Sequence, residues 1–240
     1  MSSNQNPSTE QQTLTLQQAL DLAVQHHTSG DLSKAESIYQ QIIEADPNQP
    51  QALHLLGVIA HQRGKNDNAV ELITKALTFN PDYAEAHGNL GIVFQECGNY
   101  DDALASYQKA LTLKPDYAKA YSNLGMIQKE KGNLDDAIES YLRAVEIQPD
   151  YFEAHRNLGS VRMELGRLSE AKESFHQVFS LNHGGPWWNA LTFSEAESAL
   201  TRLPPGTIHT SIFKLRDTID QLEYLIGKGR INSSFQQLVD

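Results

Sequence analysis

Apolar and small residues recur along this chain on a single beat of 34 residues. Leu56, Leu90, Leu124 and Leu158 each precede a glycine, Gly57, Gly91, Gly125 and Gly159. Twelve residues after each glycine stands an alanine: Ala69, Ala103, Ala137 and Ala171. Larger side chains, Tyr39, Ile73, Tyr107, Tyr141 and Phe175, keep the same spacing. Polar residues occupy most other positions, so each unit reads as two amphipathic helices joined by a tight turn. The glycine and alanine predict a crossing where two helix backbones approach closely. The bulky residue four positions after each alanine fills the space beside it.

The punctuation fits the same reading. Gly64, Gly98, Gly132 and Gly166 fall where a first helix must end, and a left-handed residue there favours glycine. Asp102 and Asp136 open second helices, where a carboxylate favours the positive helix end. Pro47, Pro81, Pro115 and Pro149 close the units, because a proline ring cannot continue a helix interior. One helix pair leaves an apolar face open, and stacking the next pair covers it.

This lattice, with Asn89-Leu90-Gly91, Asn123-Leu124-Gly125 and Asn157-Leu158-Gly159 beside Pro81-Asp82-Tyr83, Pro115-Asp116-Tyr117 and Pro149-Asp150-Tyr151, resembles the tetratricopeptide-repeat family. The resemblance runs from about Leu16 to Leu181. It implies an all-α, right-handed helical solenoid of about five helix pairs, at 16–49, 50–83, 84–117, 118–151 and 152–185. The first unit carries Ala23 at the glycine position and the last carries His183 in place of its proline, as atypical terminal units do.

The resemblance further implies a concave groove lined by the first helices at unit positions 2, 5, 6, 9, 12 and 13. The middle units then offer an apolar row, Val58, Ile92 and Met126, flanked by Asn89, Asn123, Asn157, Gln95, Lys119 and Lys129. An apolar floor with polar walls suits an extended peptide with one or two hydrophobic anchors. A primary amide carries both donor and acceptor and suits peptide backbone. The tetratricopeptide region of the transferase that adds N-acetylglucosamine to Ser/Thr has a similar asparagine row, although Asp21 and Leu55 interrupt it here. The Lys and Asn clamp by which chaperone-binding relatives hold a C-terminal carboxylate has no match, since Leu20 and Val24, His54 and Val58, or Gly88 and Ile92 would stand in its first two places.

Composition narrows the function classes. A formal net charge of −11 disfavours duplex DNA and anionic membranes as partners. One cysteine, Cys97, forms no internal disulfide framework and no multi-cysteine zinc site. No run of about 18 apolar residues predicts a spanning helix. The N-terminal residues lack a basic segment followed by an apolar one, so they do not read as a signal peptide, and the expected location is cytoplasmic. His54 and His61 lie about 10 Å apart along one helix, too far to share an ion. No phosphate loop, dinucleotide fingerprint or nucleophile elbow is present. The expectation is therefore a non-enzymatic protein- or peptide-binding scaffold without cofactor or metal.

The ends are read separately. Residues 1–15 form an expected disordered tail, and 186–240 a helical extension that caps the solenoid. Within it, Ile212, Leu215, Ile219, Leu222 and Ile226 make a narrow seam on a 208–226 helix, which is also a candidate for self-association. The segment from Lys214 to Leu225 weakly resembles linker helices that join tetratricopeptide arrays to catalytic domains. The alternative reading is thus a substrate-recruiting module of a glycosyltransferase or an iron-dependent oxygenase.

Overall fold

A computed structural model describes residues 15–181. Among these residues all regular structure is helical, in the order α1 (Leu16–Thr28), α2 (Leu32–Ala45), α3 (Pro50–Gln62), α4 (Asn66–Phe79), α5 (Ala84–Glu96), α6 (Tyr100–Leu113), α7 (Ala118–Glu130), α8 (Leu134–Ile147), α9 (Phe152–Glu164) and α10 (Leu168–Leu181). Each odd-numbered helix starts 34 residues after the last. The expected N-terminal tail and C-terminal helical extension lie outside the described residues.

Local chemistry fixes the helix ends. Thr15 caps α1 reciprocally: its hydroxyl accepts from the Gln18 backbone, and the Gln18 side chain accepts from the Thr15 backbone. The Asp31 carboxylate caps α2 by accepting from the Lys34 backbone. Every first helix ends on a glycine with positive φ, from 72° at Gly64 to 83° at Gly30. At Gly64 the amide donates to the His61 carbonyl, and the Lys65 amide donates to the Ala60 carbonyl. This paired closure turns the chain back within three residues.

The two helices of each pair meet at the expected small residues. A Cβ on Gly91 would stand 2.6 Å from the Tyr107 ring, and one on Gly57 would stand 2.7 Å from Ile73. Tyr39, Ile73, Tyr107 and Tyr141 are fully buried against these contacts. Burying one such side chain contributes about 1.5–3 kcal/mol. Successive pairs then stack, α2 on α3, α4 on α5, α6 on α7 and α8 on α9, in a linear solenoid. Side-chain clusters that span unit junctions, such as Ala103 and Tyr107 with Ala120, Leu124 and Ile127, make the core continuous along the stack.

Candidate functional site

The first helices lie side by side: α3 touches α5, α5 touches α7, and α7 touches α9. Residues at unit positions 2, 6, 9 and 12–13 share one side of each helix, so the array presents one common face.

Val58 and Ile92 stand half-buried at position 9, and Met126 is 37% exposed at the same register. Ile92 also packs in part against the core between units three and four. Met126 is thus the most exposed of the row.

The asparagines at position 6 are half-buried, and their amides face neighbouring groups. Asn89 Nδ2 lies 2.8 Å from His54 Nε2 on α3. Burial drives the His54 pKa down to about 4, so the ring is neutral and accepts this hydrogen bond. Its other nitrogen, Nδ1, is buried with no partner. Burial likewise raises the Tyr107 phenol far above its usual range, while the hydrogen-bonded Asn123 side chain works in the opposite direction. Asn157 Oδ1 accepts from Arg156 Nη2 at 3.4 Å. Gln95 Oε1 accepts from the Tyr107 hydroxyl at 2.8 Å, tying the face to the core.

A second series of contacts joins position 12 of one unit to position 13 of the next. His27 Nε2 lies 3.1 Å from Gln62 Oε1, His61 Nε2 lies 3.5 Å from Glu96, and Lys129 Nζ lies 4.0 Å from Glu164. Lys129 also donates to Ser160 Oγ at 3.3 Å. Lys119 is exposed at position 2. Lys114 Nζ sits 2.9 Å from Glu85 and 5.2 Å from the Tyr117 ring centroid, and its ammonium holds the Glu85 carboxyl below the usual range.

Position 5 departs from the sequence expectation. In units two to four it is a floor position, buried under the tyrosine that ends the unit. The His54 ring lies 4.7 Å from the Tyr83 ring in an edge-on arrangement, and a Cβ on Gly88 would meet Tyr117 at 2.9 Å. Ser122 is buried and hydrogen-bonds the Tyr151 side chain. Sequence reasoning missed this layering because the face assignment followed helical register alone. The signal was present: a large residue at position 34 accompanies a small or polar one at position 5.

His87 and His155 secure the turns before their helices, each bringing Nε2 within 2.9 Å of a proline carbonyl, of Pro81 and Pro149. Among the described residues no group of three or more His, Cys, Asp or Glu is arranged to hold a metal ion. No described helix is long and apolar enough to cross a membrane. Away from the common face, Tyr121, Gln128, Asp136, Glu139, Ser140 and Arg143 line a shallow polar depression between α7 and α8.

Comparison with known proteins agrees with this architecture. One tetratricopeptide-repeat family model matches residues 48–115 and 82–150, and a second matches residues 124–178. No curated protein matches. Among solved structures, a crystal structure of MamA is similar at 28% identity, with 68% of this chain and 95% of that one covered and a TM-score of 0.61. MamA from Desulfovibrio magneticus RS-1, from residue 41 to its end, shares 23% identity over 70% and 95% of the two chains, with a TM-score of 0.62. PilF of Pseudomonas aeruginosa shares 19% identity over 84% and 97%, with a TM-score of 0.67, and that likeness is one of fold.

Proposed function

The chain belongs to the tetratricopeptide-repeat family, and we propose that it is a protein-interaction scaffold that holds an extended polypeptide segment along its first helices. The observation that carries this reading is the common face itself. Val58, Ile92 and Met126 run along it at one register, beside half-buried amides at Asn89, Asn123 and Asn157. Partly exposed apolar groups offer anchor sites, and the amides offer hydrogen bonds that tolerate varied peptide sequence. Lys119, Lys129 and Gln95 flank the row, with Gln95 held by Tyr107 as a wall rather than as a free arm. The likeness of the asparagine row to that of the N-acetylglucosamine-adding transferase belongs to this proposal: both would grip backbone rather than side chains.

Photo-cross-linking tests it directly. A benzophenone amino acid at Val58 or Met126 is expected to trap the same partner polypeptide from cell extract. The same group at Leu142, exposed on the second helix α8, is expected to trap none of it. Equal trapping from Leu142 would place the binding surface elsewhere.

A further inference from the structure

Position 5 is buried in the first four units and half-buried in the fifth. Leu20, His54, Gly88 and Ser122 are all buried there, whereas unit five carries Arg156, which is only half-buried. We propose that the Arg156 guanidinium is the subsite for a carboxylate side chain, an Asp or Glu of an extended peptide lying across α7 and α9. The proposal rests on the peptide-binding reading of the same face.

The pairing of the arginines carries the argument. Of the five arginines among the described residues, Arg63 pairs with Glu36, Arg143 with Glu146, Arg162 with Glu170 and Arg167 with Asp135. No carboxylate among the described residues lies within ion-pair distance of Arg156. Its Nη2 reaches the neighbouring Asn157 Oδ1 at 3.4 Å, and its Nε is buried without a hydrogen bond. A half-buried guanidinium whose Nε is shut away from water without a hydrogen bond is incompletely compensated for the water it has lost.

The chemistry of the missing group follows. A guanidinium presents a planar fork that matches the two oxygens of a carboxylate, and it sheds water more readily than an ammonium. Lys119 on α7 adds an exposed positive charge to the same face, while Lys129 is already matched by Glu164. Asn157, bonded to Arg156, holds the fork beside the asparagine row, so one segment can meet both.

The test uses the full chain and a display library of random short peptides. Wild-type protein is expected to enrich peptides with Asp or Glu at a fixed spacing from an apolar anchor. Changing that acid to its amide in a selected peptide is expected to weaken binding about tenfold by calorimetry. This arm needs no protein variant and so does not depend on how a substitution folds. Arg156→Gln is expected to erase the acid preference, and Arg156→Glu to replace it with a preference for Lys or Arg. Peptides that bind through Val58 and Met126 without any acid preference would overturn the carboxylate subsite alone. Recovery of no peptide whose binding responds to Met126→Glu would overturn the groove reading and the subsite with it.

Discussion

Asn89 and His54 stand 35 residues apart in sequence and are joined by a 2.8 Å hydrogen bond across the junction of units two and three. In the following unit the Asn123 amide finds the hydroxyl of Tyr107 instead. Unit two has Ile73 at the register of that tyrosine, with no hydroxyl to offer. His54 therefore supplies the acceptor that Ile73 lacks. Asn89 and Asn123 thus serve the stack itself. Asn89→Ala would leave His54 buried with both ring nitrogens unanswered, and is expected to cost on the order of 1–3 kcal/mol in urea unfolding. In a His54→Leu background the same substitution should cost much less. Equal costs in the two backgrounds would show that the bond adds nothing.

Two glycines on α5 separate a packed contact from a yielding one. A Cβ on Gly91 would meet the fully buried Tyr107 ring at 2.6 Å. A Cβ on Gly88 would meet the outer end of the half-buried Tyr117 ring at 2.9 Å. Tyr107 has nowhere to go, whereas Tyr117 can swing towards solvent. Gly91→Ala is expected to destabilise by roughly 1–3 kcal/mol despite the better helix propensity of alanine. Gly88→Ala is expected to be close to neutral. Thermal melts of the two variants check the contrast, and similar losses would mean that Tyr117 is as fixed as Tyr107.

The elements that repeat were legible in the sequence, because backbone demands recur with the backbone. Gly64 and Gly98 must be left-handed, Gly57 and Gly91 must admit a neighbour, and both needs write themselves as glycine at a fixed beat. The joints between units were less legible. His54 sits at a register that faces outward on a helical projection, yet it is 2% exposed because Tyr83 folds over it from the next turn. A helical projection contains one helix, and the cover comes from another. The rungs from His27 to Gln62 and from His61 to Glu96 escaped for the same reason.

Acid should loosen the junction that His54 supports. Burial holds its folded pKa at about 4, below the ordinary 6.5. The unfolded chain therefore takes up this proton first as pH falls. The contribution to stability is complete above about 6.5, declines towards about 4 and levels off below. Across that window the loss is on the order of 3 kcal/mol. Urea midpoints at about pH 7 and about pH 4.5 should fall more for wild type than for His54→Leu, which has no proton to accept. Parallel falls would assign the acid sensitivity to other groups, among them Glu85, whose depressed carboxyl loses its own stabilisation at lower pH.

The outer seam between paired helices changes chemistry along the stack at position 11, from Ala60 and Phe94 to Gln128 and Arg162. Phe94 packs into the hydrophobic clusters on either side of it. Gln128 accepts from the Ser140 hydroxyl at 2.6 Å. The Arg162 side chain, 13% exposed, reaches Ser174 Oγ at 2.7 Å, the Glu170 carbonyl at 3.2 Å and the Glu170 carboxylate at 3.3 Å. This arginine looks indispensable from its contacts, but unit three argues otherwise. Ser106 occupies the register of Ser174 and is satisfied by the Asp102 carbonyl at 2.7 Å, in a unit whose position 11 is Phe94. Ser174 already has the equivalent bond to the Glu170 carbonyl at 3.1 Å. Glu170 is half-exposed and can return to water. Arg162→Phe is therefore expected to stay within about 1 kcal/mol of wild type, as apolar replacements of buried ion pairs often do. Arg162→Ala, which removes the packing as well, should lose about 2 kcal/mol. A phenylalanine variant as unstable as the alanine one would show that the Glu170 pair, and not the buried stem of the arginine, holds α9 to α10.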